Sequence, residues 1–313
     1  MPTRITGRIA ARIAGAARRA VLRVLHGSFD FVVRVYNKAG QDDIFFLAGG
    51  IAFNVLVAAI PCLLMLIAIF GFVMQATLEN PQQVAVEYVV SFLPASEAIV
   101  TFTRTMVDDI IGGSAPAGVF GLLLFVWFST RLIGSLRSVL REVFDLQEDR
   151  GIVQGKIFDA IMVVVLGTLF LANTGITVAI EAVHTYGVRW LGVQDYSEVR
   201  MLQAFYGQLL AFGFIFLMFV LAYRYLPARR IPWRVALVAG MFTAVVWEIL
   251  KAGFAWYIAY IANYGTTYGY LATVIILVFW IYYSSIVFIL GGEVGQVYGL
   301  TRIRHKQREL LES

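Results

Sequence analysis

Cysteine, histidine and charge are all scarce in this chain. Cys62 is its single cysteine, which excludes a disulfide scaffold. Three scattered histidines, His26, His184 and His305, cannot join that cysteine in a standard zinc site. Charged residues form 14% of the 313 positions and hydrophobic ones 60%, where a globular domain averages about 25% and about 45–50%. With a mean hydropathy of +0.78, the chain is too apolar for disorder. A soluble fold of this size could not hide so many apolar side chains. What remains is a polytopic membrane protein.

A helix crosses about 30 Å of hydrocarbon with roughly 20 mostly apolar residues. Six stretches qualify, approximately Ile44–Met74, Ala117–Leu136, Ile157–Val183, Gln203–Leu226, Val235–Ile261 and Tyr270–Gly295. They are continuous rather than alternating, so a barrel is not expected. Pro61 predicts a kink or tilt in the first. The expected fold is all-α: a membrane domain of six transmembrane helices over residues 44–298, with a basic arm at 1–43 and a tail at 299–313.

Basic residues set the expected orientation. Arg4, Arg8, Arg12, Arg18, Arg19, Arg23, Arg34 and Lys38 precede the first span. Arg137, Arg141, Arg150 and Lys156 fall in the second loop, Arg229, Arg230 and Arg234 in the fourth, and Arg302, Arg304, Lys306 and Arg308 in the tail. The opposite loops hold only Arg104, Arg189 and Arg200. Positive charge stays inside, so both termini are expected in the cytoplasm. That distribution also explains the formal charge of +5 without nucleic acid. Anionic membrane lipid is the expected partner.

No acid occurs before Asp30. The arginines from Arg4 to Arg23 fall near one helical face beside Ile5, Ile9 and Ile13, which suits a helix lying on the membrane surface. A partly disordered topogenic arm is the alternative. Between the first two spans, residues 75–116 form a long outer loop. Ile99, Phe102, Met106 and Ile110 recur at helical steps there, predicting short helices that cover the bundle or gate an opening.

Ionisable groups in hydrocarbon need partners or water. Glu248 lies near the middle of the fifth span, with Lys251 at i+3 on the same face. They read either as an intrahelical ion pair or as a polar patch lining a substrate or proton route. Glu293, near the inner end of the sixth span, and Asn54, at mid-depth in the first, are further candidates for that route. Asn54 and Asn173 read as hydrogen-bonding bridges between helices. Arg131 and Arg224 lie near inner ends, where they can snorkel or grip a phosphate or carboxylate. If an anionic amphiphile passes, then Arg131, Arg224, Glu248 and Lys251 are expected around one inward-open cavity. The spacing Gly291-xxx-Gly295-xxx-Gly299 reads as close helix packing and leaves a homo-oligomer open.

No catalytic apparatus is legible. Gly151-x-x-x-Gly155-Lys156 lacks the spacing and hydroxyl of a phosphate loop. No nucleophile elbow, zinc helix or paired-cysteine motif appears. An enzyme is not expected, and no cofactor or metal is implied.

The stretch DDIFFLAGGIAFNVLVAAIPCLLML, from Asp42 to Leu66, resembles the first span of the YihY/BrkB family of bacterial inner-membrane proteins. So do Tyr223-Arg224-Tyr225-Leu226-Pro227, Trp233-Arg234, Gly240, Trp247-Glu248-x-x-Lys251, Tyr268-Gly269 and FWIYYSSIVFILGGEVGQVY from Phe279 to Tyr298. The resemblance covers about Asp42–Tyr298. It departs at Ala48-Gly49-Gly50-Ile51, where the family more often has alanines; the two glycines would permit closer helix approach. The resemblance implies six spans with both ends cytoplasmic, and an association with envelope integrity and lipid or lipopolysaccharide export. The family's old label, ribonuclease BN, has no support, because no His/Asp cluster is present to bind the metals of such hydrolysis. The expected function is transport or handling of an amphiphilic or anionic envelope component, with a non-transporting scaffold as the alternative.

Overall fold

The computed structural model describes residues 29–75, 115–148, 150–182, 197–260 and 271–312, together with positions 101 and 105. The arginine stripe of the N-terminal arm, Asn173's side chain and the short helices expected within the 75–116 loop lie outside the described residues, apart from those two positions.

A short helix, α1 (Phe29–Gln41), meets the first long one at 63°. The long helices are α2 (Ile44–Gln75), α3 (Ala115–Val143), α4 (Ile152–Ala182), α5 (Ser197–Tyr225), α6 (Trp233–Tyr260) and α7 (Leu271–Glu312). No strand occurs among the described residues. Five of the long helices are long and apolar enough to cross a bilayer, and α2 passes as a bent pair with α1. The helices follow the expected spans closely, and α2 continues through Pro61. Helix α7 extends past the expected sixth span and runs on to Glu312, through most of the residues expected as the tail.

Helix ends follow local chemistry. Asp43 and Asp145 adopt left-handed backbones, with φ of 48° and 51°. After α3, Leu146 N–H bonds the Arg141 carbonyl and Asp145 N–H that of Glu142, the pattern of a Schellman cap with aspartate where glycine is usual. Asp43 turns the chain from α1 into α2, and its carbonyl accepts from the Phe46 and Leu47 N–H groups. Pro232, whose missing N–H costs nothing at a helix start, begins α6: its carbonyl accepts from Val235 and Ala236 N–H at 3.0 Å.

The six long helices form a ring. Each packs on the next in chain order, and α7 returns to α2 and also touches α3. The densest packing lies toward the end that carries the basic loops. Leu140, Val143, Tyr223, Leu226 and Ile289 are wholly buried there. Farther along, Leu123, Trp127, Ile161, Val164, Leu209, Ile249 and Val274 are exposed on the outer faces. Water would penalise such a surface, whereas hydrocarbon is its natural solvent.

Glycines on α7 draw that floor together. A side chain at Gly292 would meet Val143 at 2.8 Å, and one at Gly295 would meet Ala239 at 2.9 Å. On α6, Gly240 lies against Val220. The expected small-residue packing is therefore met within one chain. Gly49 and Gly50 are different: nothing lies within 4 Å of either position's missing side chain, so they bring no helix closer. Sequence spacing indicates small faces but does not say what those faces meet.

Candidate functional site

Within the ring lies a cavity of about 340 Å³, in the range of ligand pockets. All six long helices contribute to its wall: Ile51 and Val55 from α2, Leu136 from α3, Leu166 from α4, and the remainder from α5, α6 and α7. An aromatic wall closes the α5–α6–α7 side. Phe219 and Trp247 meet edge-on at 5.6 Å, as do Trp247 and Trp280. Phe288 stacks on Tyr223 at 5.1 Å, below which the floor is packed. Among the described residues no charged side chain lines the chamber, and its side-chain hydroxyls are those of Ser284 and Ser285. Such a space suits a hydrocarbon chain and repels a charged headgroup.

The floor is held by polar contacts. The Tyr223 hydroxyl donates to the Phe288 carbonyl at 2.5 Å and lies 2.7 Å from Thr243 Oγ1. Thr243 has one proton and two acceptors in reach, the Tyr223 oxygen and the Ala239 carbonyl at 2.8 Å, and given to Tyr223 it links α6 to α5. Two hydroxyls thereby join α5, α6 and α7 where all are buried.

At the basic end a charged cluster ties α1 to the ring. Lys38 Nζ lies 2.6 Å from Asp42 and 3.0 Å from Asp145, whose other oxygen accepts from Gln296 at 3.0 Å. Burial opposes the Lys38 charge, but the hydrogen bonds to Asp42 and Asp145 raise its pKa above the ordinary lysine value. Glu293 is wholly buried and faces Asp42, Lys38 and Asp145. Neither of its oxygens receives a hydrogen bond from a donor in the structure.

The candidate residues separate into local partnerships. Asn54 donates to the Gly50 carbonyl and to Ser135 Oγ, and accepts from Arg131 Nε at 3.2 Å. That is the interhelical bridge expected of Asn54, with Arg131 as part of it. Arg224 donates to the Ile231 carbonyl at 2.6 Å and stacks 4.0 Å from the Trp233 ring, bracing the turn between α5 and α6. Glu248 and Lys251 pair at 2.7 Å on α6, one residue and one turn past the chamber-lining Trp247. Arg131, Arg224 and the Glu248–Lys251 pair thus hold separate partners. Arg224 keeps one buried nitrogen, Nε, without a hydrogen-bond partner among the described residues.

Contact between Glu248 and Lys251 gives a checkable expectation. Glu248→Gln or Lys251→Met should lower thermal stability in detergent more than the double substitution does, with a coupling on the order of 1 kcal/mol. Additive losses would show that the contact contributes nothing.

Sequence reasoning missed a pair that is buried. Asp159 on α4 is 1% exposed and accepts from Arg137 Nε of α3 at 3.2 Å. A lone acid within an apolar span was the available signal. Also missed were Ser284 and the aromatic wall, since composition alone cannot separate a cavity lining from a packed core. Among the described residues no three His, Cys, Asp or Glu side chains are placed to hold a metal.

A family model described as Virulence factor BrkB matches residues 35–310. A UPF0761 membrane protein of Alkalilimnicola ehrlichii is 27% identical over 289 residues, covering 90% of this chain but 61% of the relative. One from Pseudoalteromonas translucida is 27% identical over 266 residues, 82% of each chain. One from Alteromonas mediterranea is 26% identical over 297 residues, covering 92% and 94%. No solved structure matches.

Proposed function

We propose, from the premise that this chain belongs to the Virulence factor BrkB family and is an integral membrane protein, that it binds and moves lipid within the bacterial inner membrane. The observation that carries this reading is the apolar chamber walled by all six long helices. The space is a half-open pocket rather than a sealed void, which suits a ligand that enters and leaves. The chamber accepts the chain of an amphiphile, while a headgroup stays in water or at the interface. Anionic lipids meet the basic loops, which face the cytoplasm in this reading. The action is binding and movement, with no bond made or broken.

A photoactivatable phospholipid with its reactive group near the chain end tests the proposal. In nanodiscs it should label peptides containing Val55, Leu166 and Met218. Leu166→Trp, which fills the space, should reduce that labelling several-fold while leaving the outer-face label unchanged. Equal chamber labelling in the two proteins would defeat the reading. The separate partners of Arg131 and Arg224 favour a second one, a scaffold supporting the envelope, and that reading expects label on outer faces alone.

Orientation has its own test. Cysteine labelling should find Arg150 and the C-terminal tail on the cytoplasmic side, with Asn80 and Val193 outside. A cytoplasmic Asn80 would invert the assignment.

A further inference from the structure

Ser284 breaks the pattern of its neighbours. Serines in apolar helices usually return their hydroxyl to the carbonyl four residues back. Ser285 does so, to Ile281 at 2.8 Å, and Ser138 does so to Gly134 at 2.9 Å. Ser284 lines the chamber, is 9% exposed, and its Oγ has no hydrogen-bond partner. A buried hydroxyl left in this state is unfavourable, and nothing else on the chamber wall is free to meet it. Every other lining side chain is apolar except Ser285, already bonded, and the Trp247 and Trp280 indoles, which can donate but not accept.

We infer that Ser284 Oγ is the polar anchor of the chamber and donates to the carbonyl of an ester-linked acyl chain. This rests on the chamber being a lipid site and names the chemistry that it selects. A bare hydrocarbon would fill the space but leave the hydroxyl unpaired. A phosphate or carboxylate would find no cation on the wall and would lose its hydration. An ester carbonyl is a neutral acceptor attached directly to an apolar chain, so it satisfies the serine and brings no charge into the ring. The bound lipid is therefore recognised at the linkage, with its headgroup outside the chamber.

Two photoactivatable phospholipids differing only in linkage, diacyl ester and dialkyl ether, separate this inference from the reading beneath it. Full-length protein is placed in phosphatidylethanolamine–phosphatidylglycerol nanodiscs with each probe, and chamber peptides are quantified by mass spectrometry. One net hydrogen bond, about 0.5–1.5 kcal/mol, corresponds to about a two- to tenfold preference for the ester. Wild type should show that preference. Ser284→Ala should label equally with both probes, and Ser284→Thr, which keeps the hydroxyl, should retain the ester preference. An unchanged ratio in Ser284→Ala, or no preference in wild type, overturns the inference while the chamber remains a chain site. Loss of chamber labelling by both probes in wild type overturns the lipid-site reading and the inference with it.

Discussion

Gly291→Ala should be the most damaging single-methyl change in the ring. The added Cβ would overlap Thr243 Oγ1 and lie 2.5 Å from the Tyr223 hydroxyl. Both hydroxyls are buried, and both are committed to the contacts that join α5, α6 and α7. Overpacking costs about 1–3 kcal/mol, and each hydrogen bond broken adds about 1 kcal/mol. The combined expectation is a loss of about 3–5 kcal/mol, read as a large fall in unfolding temperature in detergent. Thr243→Ala removes the atom in conflict, so Gly291→Ala with Thr243→Ala should recover part of that loss. Gly49→Ala is the matched control, because its added methyl meets nothing within 4 Å. It should be neutral or slightly stabilising, since alanine favours helix over glycine by about 1 kcal/mol. Equal effects at the two glycines would refute the close packing assigned to Gly291.

Arg137→Met should be the most damaging charge removal. It strands the Asp159 carboxylate, which is almost wholly buried and has no donor at its second oxygen. Breaking one side of a buried pair costs about 3–5 kcal/mol, whereas replacing both partners relieves most of the penalty. Arg137→Met should therefore destabilise the protein more than Arg137→Met with Asp159→Asn. Thermal unfolding of the two variants decides it, and a double variant as unstable as the single one would remove Asp159 from the account. Two glycines make room for the pair. A side chain at Gly134 would approach Asp159 at 3.2 Å, and one at Gly155 would approach Arg137 at 3.0 Å. Gly155, unsuited to a phosphate loop, thus admits a guanidinium.

The sequence made the spans legible because an apolar run of sufficient length has few other uses in a protein. It made Glu248–Lys251 legible because i,i+3 spacing is a local rule. Longer-range partnerships had no such rule. Arg137 and Asp159 are 22 residues apart, and Lys38 and Asp145 are 107 apart. Neither pair can be read before the ring closes. The partners of the two arginines were equally hidden: Arg131 found Asn54, and Arg224 found a backbone carbonyl. Gly291 and Gly295 looked like Gly49 and Gly50 in composition, yet only the former face a neighbouring helix closely. Burial is decided by which side of each helix turns inward, and an all-apolar span has no polar face to announce it.

Helix α7 has a mechanical consequence. It is unbroken over 42 residues, and Gly291 divides it almost in half. At 1.5 Å per residue each arm measures about 30 Å. One arm carries Trp280 and Ser284 along the chamber wall; the other carries the Arg302 and Arg304 guanidiniums beyond the floor. One continuous helix therefore joins the chamber wall to the basic arm, so the distance between them along its axis is fixed by the rise of the residues that separate them.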